Sequence, residues 1–285
     1  MYKTLSPWAI GVAAPDLDSA IAAAKQGGFQ GVEVNGAEVL GLVDQLGGDA
    51  VRAKFADAGI RPASFGLPID WRTADAESLA KLGRIARACS EIGCTRTCTF
   101  IMPCSDELDL EANRKVHVAG LSPLASVLAE HGCSLGFEFI GPKTFRDSRR
   151  YPFIYQMGPM MEMAREIGPN TGLLLDAWHW YTSGGTVAEI EALSAADVVY
   201  VHVNDAPEGI DRDAQIDNVR RLPASTGVID GAGFMRALQR IGYEGPVTPE
   251  PFSKELTELP SDADRLRVVG ESMDRLFGYL DPAAR

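Results

Sequence analysis

A chain of 285 residues suits one large α/β barrel or two smaller domains, so length alone does not choose between them. Hydrophobic residues at 46% against 23% charged supply a sizeable core and exclude a disordered chain. With 27 basic and 39 acidic residues the formal net charge is -12; such a surface repels polyanions, no run of Lys or Arg offsets it, and no nucleic-acid partner is expected.

The opening Met1-Tyr2-Lys3-Thr4-Leu5-Ser6-Pro7 lacks the apolar core of a signal peptide. No apolar stretch approaches the roughly 18 residues of a membrane span. A cytoplasmic protein without a membrane partner is therefore expected. The five cysteines, Cys89, Cys94, Cys98, Cys104 and Cys133, are odd in number and contain no CxxC pair. They read as small buried residues rather than as a disulfide framework or a zinc site.

Along the chain, short β-like runs alternate with longer amphipathic segments, with no linker between them. Strands are predicted at Trp8–Val12, Gly31–Val34, Arg61–Gly66, Thr95–Ile101, Ser134–Phe139, Gly172–Leu175, Val198–Val203 and Pro246–Pro249. Helices are predicted at Leu17–Gln26, Glu38–Asp57, Ala76–Ile92, Leu110–Glu130, Tyr155–Ile167, Val187–Leu193, Ala232–Ile241 and Ala263–Tyr279. Gly59, Gly93 and Gly242 follow helix ends where a left-handed residue is wanted, and Asp230 is placed to cap the helix after it. Eight βα units in one series favour a closed (β/α)8 TIM barrel, over residues 1–285 as a single domain, over an open doubly wound sheet.

In such a barrel the chemistry gathers at the C-terminal ends of the strands. Glu33 ends Gly31-Val32-Glu33-Val34; with no partner motif nearby it reads equally well as an ordinary salt-bridged acid. Glu138 sits in Leu135-Gly136-Phe137-Glu138-Phe139 and Asp176 ends Leu173-Leu174-Leu175-Asp176. His202 lies in Val199-Tyr200-Val201-His202-Val203 and Glu250 ends Val247-Thr248-Pro249-Glu250-Pro251. Four successive strands thus deliver Glu, Asp, His and Glu to one rim. Three carboxylates in one small space repel one another unless a cation joins them. One divalent metal ion is expected on Glu138, Asp176, His202 and Glu250. Three oxygens with one imidazole suit Mn²⁺, Mg²⁺ or Co²⁺, with Zn²⁺ allowed.

These residues carry a resemblance. Phe137-Glu138-Phe139, Asp176-Ala177-Trp178-His179, His202-Val203-Asn204-Asp205 and Pro249-Glu250-Pro251-Phe252, in this order and on these strands, resemble the xylose-isomerase-like TIM-barrel superfamily, in its sugar phosphate isomerase/epimerase branch. The resemblance implies the same metal set. It also implies that His179, the second residue of the D-x-x-H motif, contacts substrate hydroxyls. Arg220-Arg221-Leu222-Pro223-Ala224 fits the family's R-x-x-P, which points to Arg220, although Ala224 stands where a Gly is usual and Arg221 could take the role. Asp205, within the H-x-x-D motif, is a further candidate substrate contact. Without the family, Trp178 and Trp180 offer faces for a sugar ring as readily as they offer packing at the rim. Lys143, in a Gly-Pro-Lys loop, could reach a substrate oxygen, or else lie solvated.

The expected activity is that of a metal-dependent isomerase or epimerase acting on a ketose or related polyhydroxy carbonyl compound through an enediolate. Glu138 and Glu250 serve as the acid–base pair on opposite faces of the reacting carbon. A lyase or dehydratase sharing that intermediate is the main rival. An endonuclease-IV-like hydrolase is disfavoured, because its metal cluster calls for several histidines and the chain has only 4. The partner is a small polyhydroxy carbonyl substrate, and a homo-oligomer is left open.

Overall fold

The alternation resolves, in a computed structural model that describes residues 1–281, into a closed barrel of eight parallel strands. They are β1 (Tyr2–Leu5), β2 (Gly31–Val34), β3 (Arg61–Gly66), β4 (Arg96–Ile101), β5 (Ser134–Phe139), β6 (Thr171–Asp176), β7 (Val198–Val203) and β8 (Pro246–Pro249). Each pairs with its neighbours in sequence, and β1 closes on β8 with Tyr2 opposite Pro246. This is the (β/α)8 topology. Among the described residues no helix is long and apolar enough to cross a membrane.

Strands covered by helices on one face and by the barrel interior on the other should be apolar throughout. Accordingly β6 and β7 are buried at every position. The main core lies between strands and helices, where Leu82, Ile85, Ala86 and Cys89 of the helix Ala76–Glu91 are fully covered. A second, small cluster of Ala63, Leu174 and Tyr200, with Cys98 against it, fills the barrel interior and forms a floor. The helices start on side-chain caps at Asp16, Asp75, Asp109 and Ser261, and Asp230 accepts from the Gly233 amide at 2.8 Å. Gly59, Gly93 and Gly242 have φ of 70°, 84° and 75°, so each occupies the left-handed region read from the sequence.

Beyond shifts of one or two residues at element ends, two elements differ from expectation. The first strand is not Trp8–Val12 but Tyr2–Leu5, and Trp8–Ile10 forms a single 3-10 turn. The Pro7 carbonyl accepts from both the Ile10 and Val12 amides, and Gly11 at φ 69° ends the turn. The backbone donors that a strand would need are thereby spent locally. Trp8 is left 66% exposed at the mouth of the barrel. The predicted helix Glu38–Asp57 is two helices, Gly36–Leu46 and Gly48–Ala58, broken at Gly47 with φ 84° and ψ 150°, a conformation open to glycine and costly for other residues. A short helix, Ala177–Thr182, directly follows β6 and starts on Asp176.

A candidate metal centre at the C-terminal mouth of the barrel

Strand alternation aims the site. In β5 the rings of Phe137 and Phe139 are fully buried in the wall, which turns Glu138 between them toward the barrel axis. His202 lies between buried Val201 and Val203 in the same way, in register with Asp176 on β6 and Thr248 on β8. Glu250 follows β8, its amide donating to the Val203 carbonyl at 2.9 Å. Pro249 and Pro251 hold the chain extended on either side of it.

One ligand atom from each of Glu138, Asp176, His202 and Glu250 lies within 4.8 Å of all the others. His202 Nδ1 is 3.6 Å from Glu138 Oε1, 3.5 Å from Glu250 Oε2 and 3.9 Å from Asp176 Oδ2. A divalent cation fits this donor set on a further observation. Glu138 Oε1 and His202 Nδ1 are buried and make no hydrogen bond, although an unmade bond at such an atom costs about 1–3 kcal/mol. A single cation among the four side chains would satisfy both. Burial pushes the Glu138 carboxyl above the usual range, against the pull of His202 and His179. Burial also opposes ionisation of Asp176, yet Arg220, then His179 and His202, hold it well below that range. For His202 burial disfavours the charged ring, but Glu250, Glu138 and Glu33 outweigh it and raise its pKa well above normal.

Of the two candidate arginines it is Arg220 that enters the site. Its Nη1 donates to Asp176 Oδ2 at 2.9 Å and to Glu250 Oε2 at 2.8 Å, while Nη2 donates to Asp217 at 3.0 Å. The guanidinium lies 4.8 Å from the Phe252 ring and 5.4 Å from the Trp178 ring. Arg221 instead bridges its backbone to Asp205 and faces Glu255. Ala224, in the position usually given to Gly, has φ 53°; it adopts the left-handed turn that glycine would enter without strain.

His179 has a readable tautomer. The Gly141 amide donates to its Nδ1 at 3.1 Å, so the neutral ring carries its proton on Nε2. That atom lies 3.9 Å from Glu138 Oε1. Its 3.2 Å approach to Arg220 Nη2 then joins two donors and is not a hydrogen bond. His179 therefore presents an N–H to the centre. Gly141 is required by this approach, since a Cβ there would collide with the His179 carbonyl oxygen.

Four candidate substrate contacts are placed elsewhere. Trp178 is fully buried behind Arg220, and Trp180 packs on Phe234 and donates its indole N–H to the Thr186 carbonyl; neither offers a free face. Asp205 is buried and accepts the amides of Ala206, Ser225, Thr226, Gly227 and Ile229 at 2.8–3.2 Å. It ties down the loop that delivers Arg220. Lys143 stands on a short helix and pairs with Asp147, so its ammonium is engaged in that surface pair.

Residues less legible in the sequence complete the site. Asn204 donates to Asp176 Oδ1 at 3.0 Å; its position two residues after His202, on the same face of the chain, is the available signal. Glu33 accepts from the Tyr200 hydroxyl at 2.8 Å and faces His202 Nε2 at 3.9 Å. Burial works to raise its pKa, but His202, Ser6 and Tyr200 hold the carboxyl below the usual range. A cleft of about 620 Å³ opens over the centre, lined by Glu33, Glu138, His202 and Glu250 and by the apolar Trp8, Phe65, Leu67 and Phe100. No Lys or Arg is among the described residues that line it, whereas Asp16, Glu33, Glu38, Glu138 and Glu250 are.

Barrel and centre together define a (β/α)8 protein with a carboxylate–imidazole cluster at its C-terminal mouth. Residues 21–277 match the xylose isomerase-like TIM barrel, and the chain belongs to that family. It is 28% identical over 147 residues to an L-ribulose 3-epimerase of Methylomonas sp. (strain DH-1), covering 51% of this chain and 45% of that protein. It is 26% identical over 279 residues to a 3-dehydroshikimate dehydratase of Pseudomonas putida, covering 94% of this chain and 41% of that one. The chain thus spans less than half the length of these two curated relatives. A xylose isomerase domain protein from Alicyclobacillus acidocaldarius superimposes with a TM-score of 0.84 at 29% identity, over 97% of this chain and 98% of that one.

Proposed function

We propose that the protein is a divalent-cation-dependent isomerase or epimerase acting on an uncharged polyhydroxy ketone. The observation that carries this reading is the convergence of Glu138, Asp176, His202 and Glu250 within 4.8 Å, with Glu138 Oε1 and His202 Nδ1 buried and without a hydrogen bond. When bound there, the cation supplies Lewis-acid polarisation of a carbonyl and its neighbouring hydroxyl, which acidifies the C–H between them.

The protein's own groups do the rest. Glu138 and Glu250 stand at the two ends of the β5–β8 arc and offer carboxylate oxygens from different sides of the substrate. One takes the proton from carbon. The other returns a proton to the opposite face for epimerisation, or to the adjacent carbon for isomerisation. The Nε2–H of His179 donates to a substrate oxygen. Arg220 holds Asp176 and Glu250 in place while screening their mutual repulsion. The apolar wall of Trp8, Phe65, Leu67 and Phe100 limits access of water. Selection for an uncharged substrate follows from the cleft: an anion would face five carboxylates with no Lys or Arg on the lining, and Arg220 is already engaged by three acids.

A β-elimination is the second reading, favoured by the tautomer of His179. Its Nε2–H is placed to hydrogen-bond to a departing hydroxyl, which would leave as water on taking the proton that the catalytic carboxylate removed from carbon in the same C–H cleavage.

The test is incubation of the Mn²⁺-loaded protein with neutral ketoses and keto-inositols in D₂O, followed by NMR. Deuterium at the carbon beside the carbonyl without loss of water is the expected result, and chelation with EDTA should abolish it. Loss of water would move the assignment to the lyase. Turnover of phosphorylated but not neutral ketoses would overturn the substrate class. In the same preparations Asp176→Ala and His202→Ala should lower bound cation from about one per chain to background, read by elemental analysis. Full occupancy in both variants would remove the basis of the reading.

A further inference from the structure

Glu33 faces this centre through His202, and the proposed chemistry leaves it without a task. It sits on β2, across the barrel from the four clustered side chains. The His202 ring has two distinct sides. Nδ1 faces the oxygens of Glu138, Asp176 and Glu250, while Nε2 faces Glu33 Oε1 at 3.9 Å. The same Oε1 accepts from the Tyr200 hydroxyl at 2.8 Å, and that hydroxyl is 2.5 Å from Thr248 Oγ1.

The polarity of this chain is fixed by its end. An ionised carboxylate only accepts, so Tyr200 donates to Glu33 and Thr248 donates to Tyr200. Tyr200 precedes His202 by two positions on β7 and meets its ring edge-on at 5.3 Å. Thr248 is the register partner of His202 on β8. Glu33 is therefore held by groups that also frame the imidazole. An imidazole that binds a cation through Nδ1 keeps its proton on Nε2, and such ligands are commonly oriented by an acceptor at that second nitrogen.

We infer that Glu33 is a positioning residue for His202, accepting the Nε2 proton and so directing Nδ1 into the cation site. This rests on the cation-dependent reading above. It assigns Glu33 no contact with the reacting carbon, although the residue borders the cleft.

The experiment is a Zn²⁺ titration of the full chain by calorimetry, with ¹⁵N NMR of His202 in the diamagnetic Zn²⁺ form. Wild type should show Nε2 protonated and Nδ1 bound. Glu33→Leu should weaken Zn²⁺ binding roughly 10–100-fold, with melting in EDTA close to wild type. Glu33→Gln, which keeps an acceptor but no charge, should recover part of that loss. Tyr200→Phe, which removes the donor to Glu33 and keeps the ring, should show a smaller loss than Glu33→Leu. If Glu33→Leu fails to fold, the wild-type tautomer and the Tyr200→Phe titration decide. Wild-type affinity in Glu33→Leu, or a His202 protonated on Nδ1 and bound through Nε2, overturns the inference while leaving the cation site standing. Normal Zn²⁺ affinity with a raised KM overturns it in favour of a substrate contact. A wild-type chain that binds no Zn²⁺, or an Asp176→Ala variant that binds it equally well, overturns the cation reading and this inference together.

Discussion

Arg220→Met is expected to lower the unfolding free energy of the EDTA-treated protein by about 3–5 kcal/mol, the usual cost of removing one partner from a buried ion pair. Arg220 is fully buried and donates to Asp176, Glu250 and Asp217 at 2.8–3.0 Å. Burial alone would disfavour its charge, but Asp176, Glu250 and Asp217 raise its pKa further, so it stays cationic. Methionine fills much of the same volume without the charge and leaves the acids under Phe252 uncompensated. Urea unfolding with and without saturating Mn²⁺ checks the account. Most of the loss should return with Mn²⁺, because a cation bound to the folded state stabilises it and relieves the same repulsion. A loss below about 1 kcal/mol would show that the acids take up protons at little cost. Arg220→Lys should restore only part, since an ammonium lacks the planar fork that serves three acids at once.

Glu138→Gln and Glu250→Gln are each expected to depress proton exchange at the substrate carbon by about 10²–10⁴-fold, the range associated with loss of a positioned general base. Both amides keep the side-chain shape, and in Glu250→Gln the amide oxygen would still accept from Arg220. The two variants should differ in stability. Glu138 Oε1 is buried without a hydrogen bond but lies 3.6 Å from His202 Nδ1, so neutralising it removes a desolvation penalty together with an ion pair, and the cation-free protein should change little in stability. Glu250 balances Arg220, so its neutralisation should destabilise. Bound Mn²⁺ must be measured beside the exchange rate, because each residue also belongs to the proposed ligand set. Retained cation with lost exchange supports the acid–base role; unchanged exchange in both variants contradicts it.

What can be read from the chain follows from what is local in a (β/α)8 fold. A parallel strand buried on both faces shows itself as an apolar run, and a polar residue near the end of such a run has the barrel mouth as its natural place. Glu138, Asp176, His202 and Glu250 are therefore visible as a group in the sequence, as are Gly59, Gly93 and Gly242 with their left-handed backbone. The first strand is misplaced for a local reason as well. Tyr2–Leu5 is short and carries a Lys, whereas the more apolar Trp8–Ile10 gives its hydrogen bonds to a turn after Pro7.

Contacts between distant elements have no such signature. Glu33 meets Tyr200 across 167 residues of sequence, and an isolated Glu in a short strand reads the same whether it faces a histidine or solvent. The choice between Arg220 and Arg221 depends on the loop that Asp205 gathers through five backbone amides, with Arg221 bridged to Asp205 and Arg220 turned inward. Trp178 and Lys143 show the converse. Their chemistry suggests substrate contacts, and packing places one beneath Arg220 and the other beside Asp147. The sequence by itself determined the architecture and the charge pattern of the rim, because strand periodicity acts over a few residues. Only the tertiary structure decided which side chains share the centre, because closure of the barrel sets β2 across from β7 and brings the loop after β7 over the mouth.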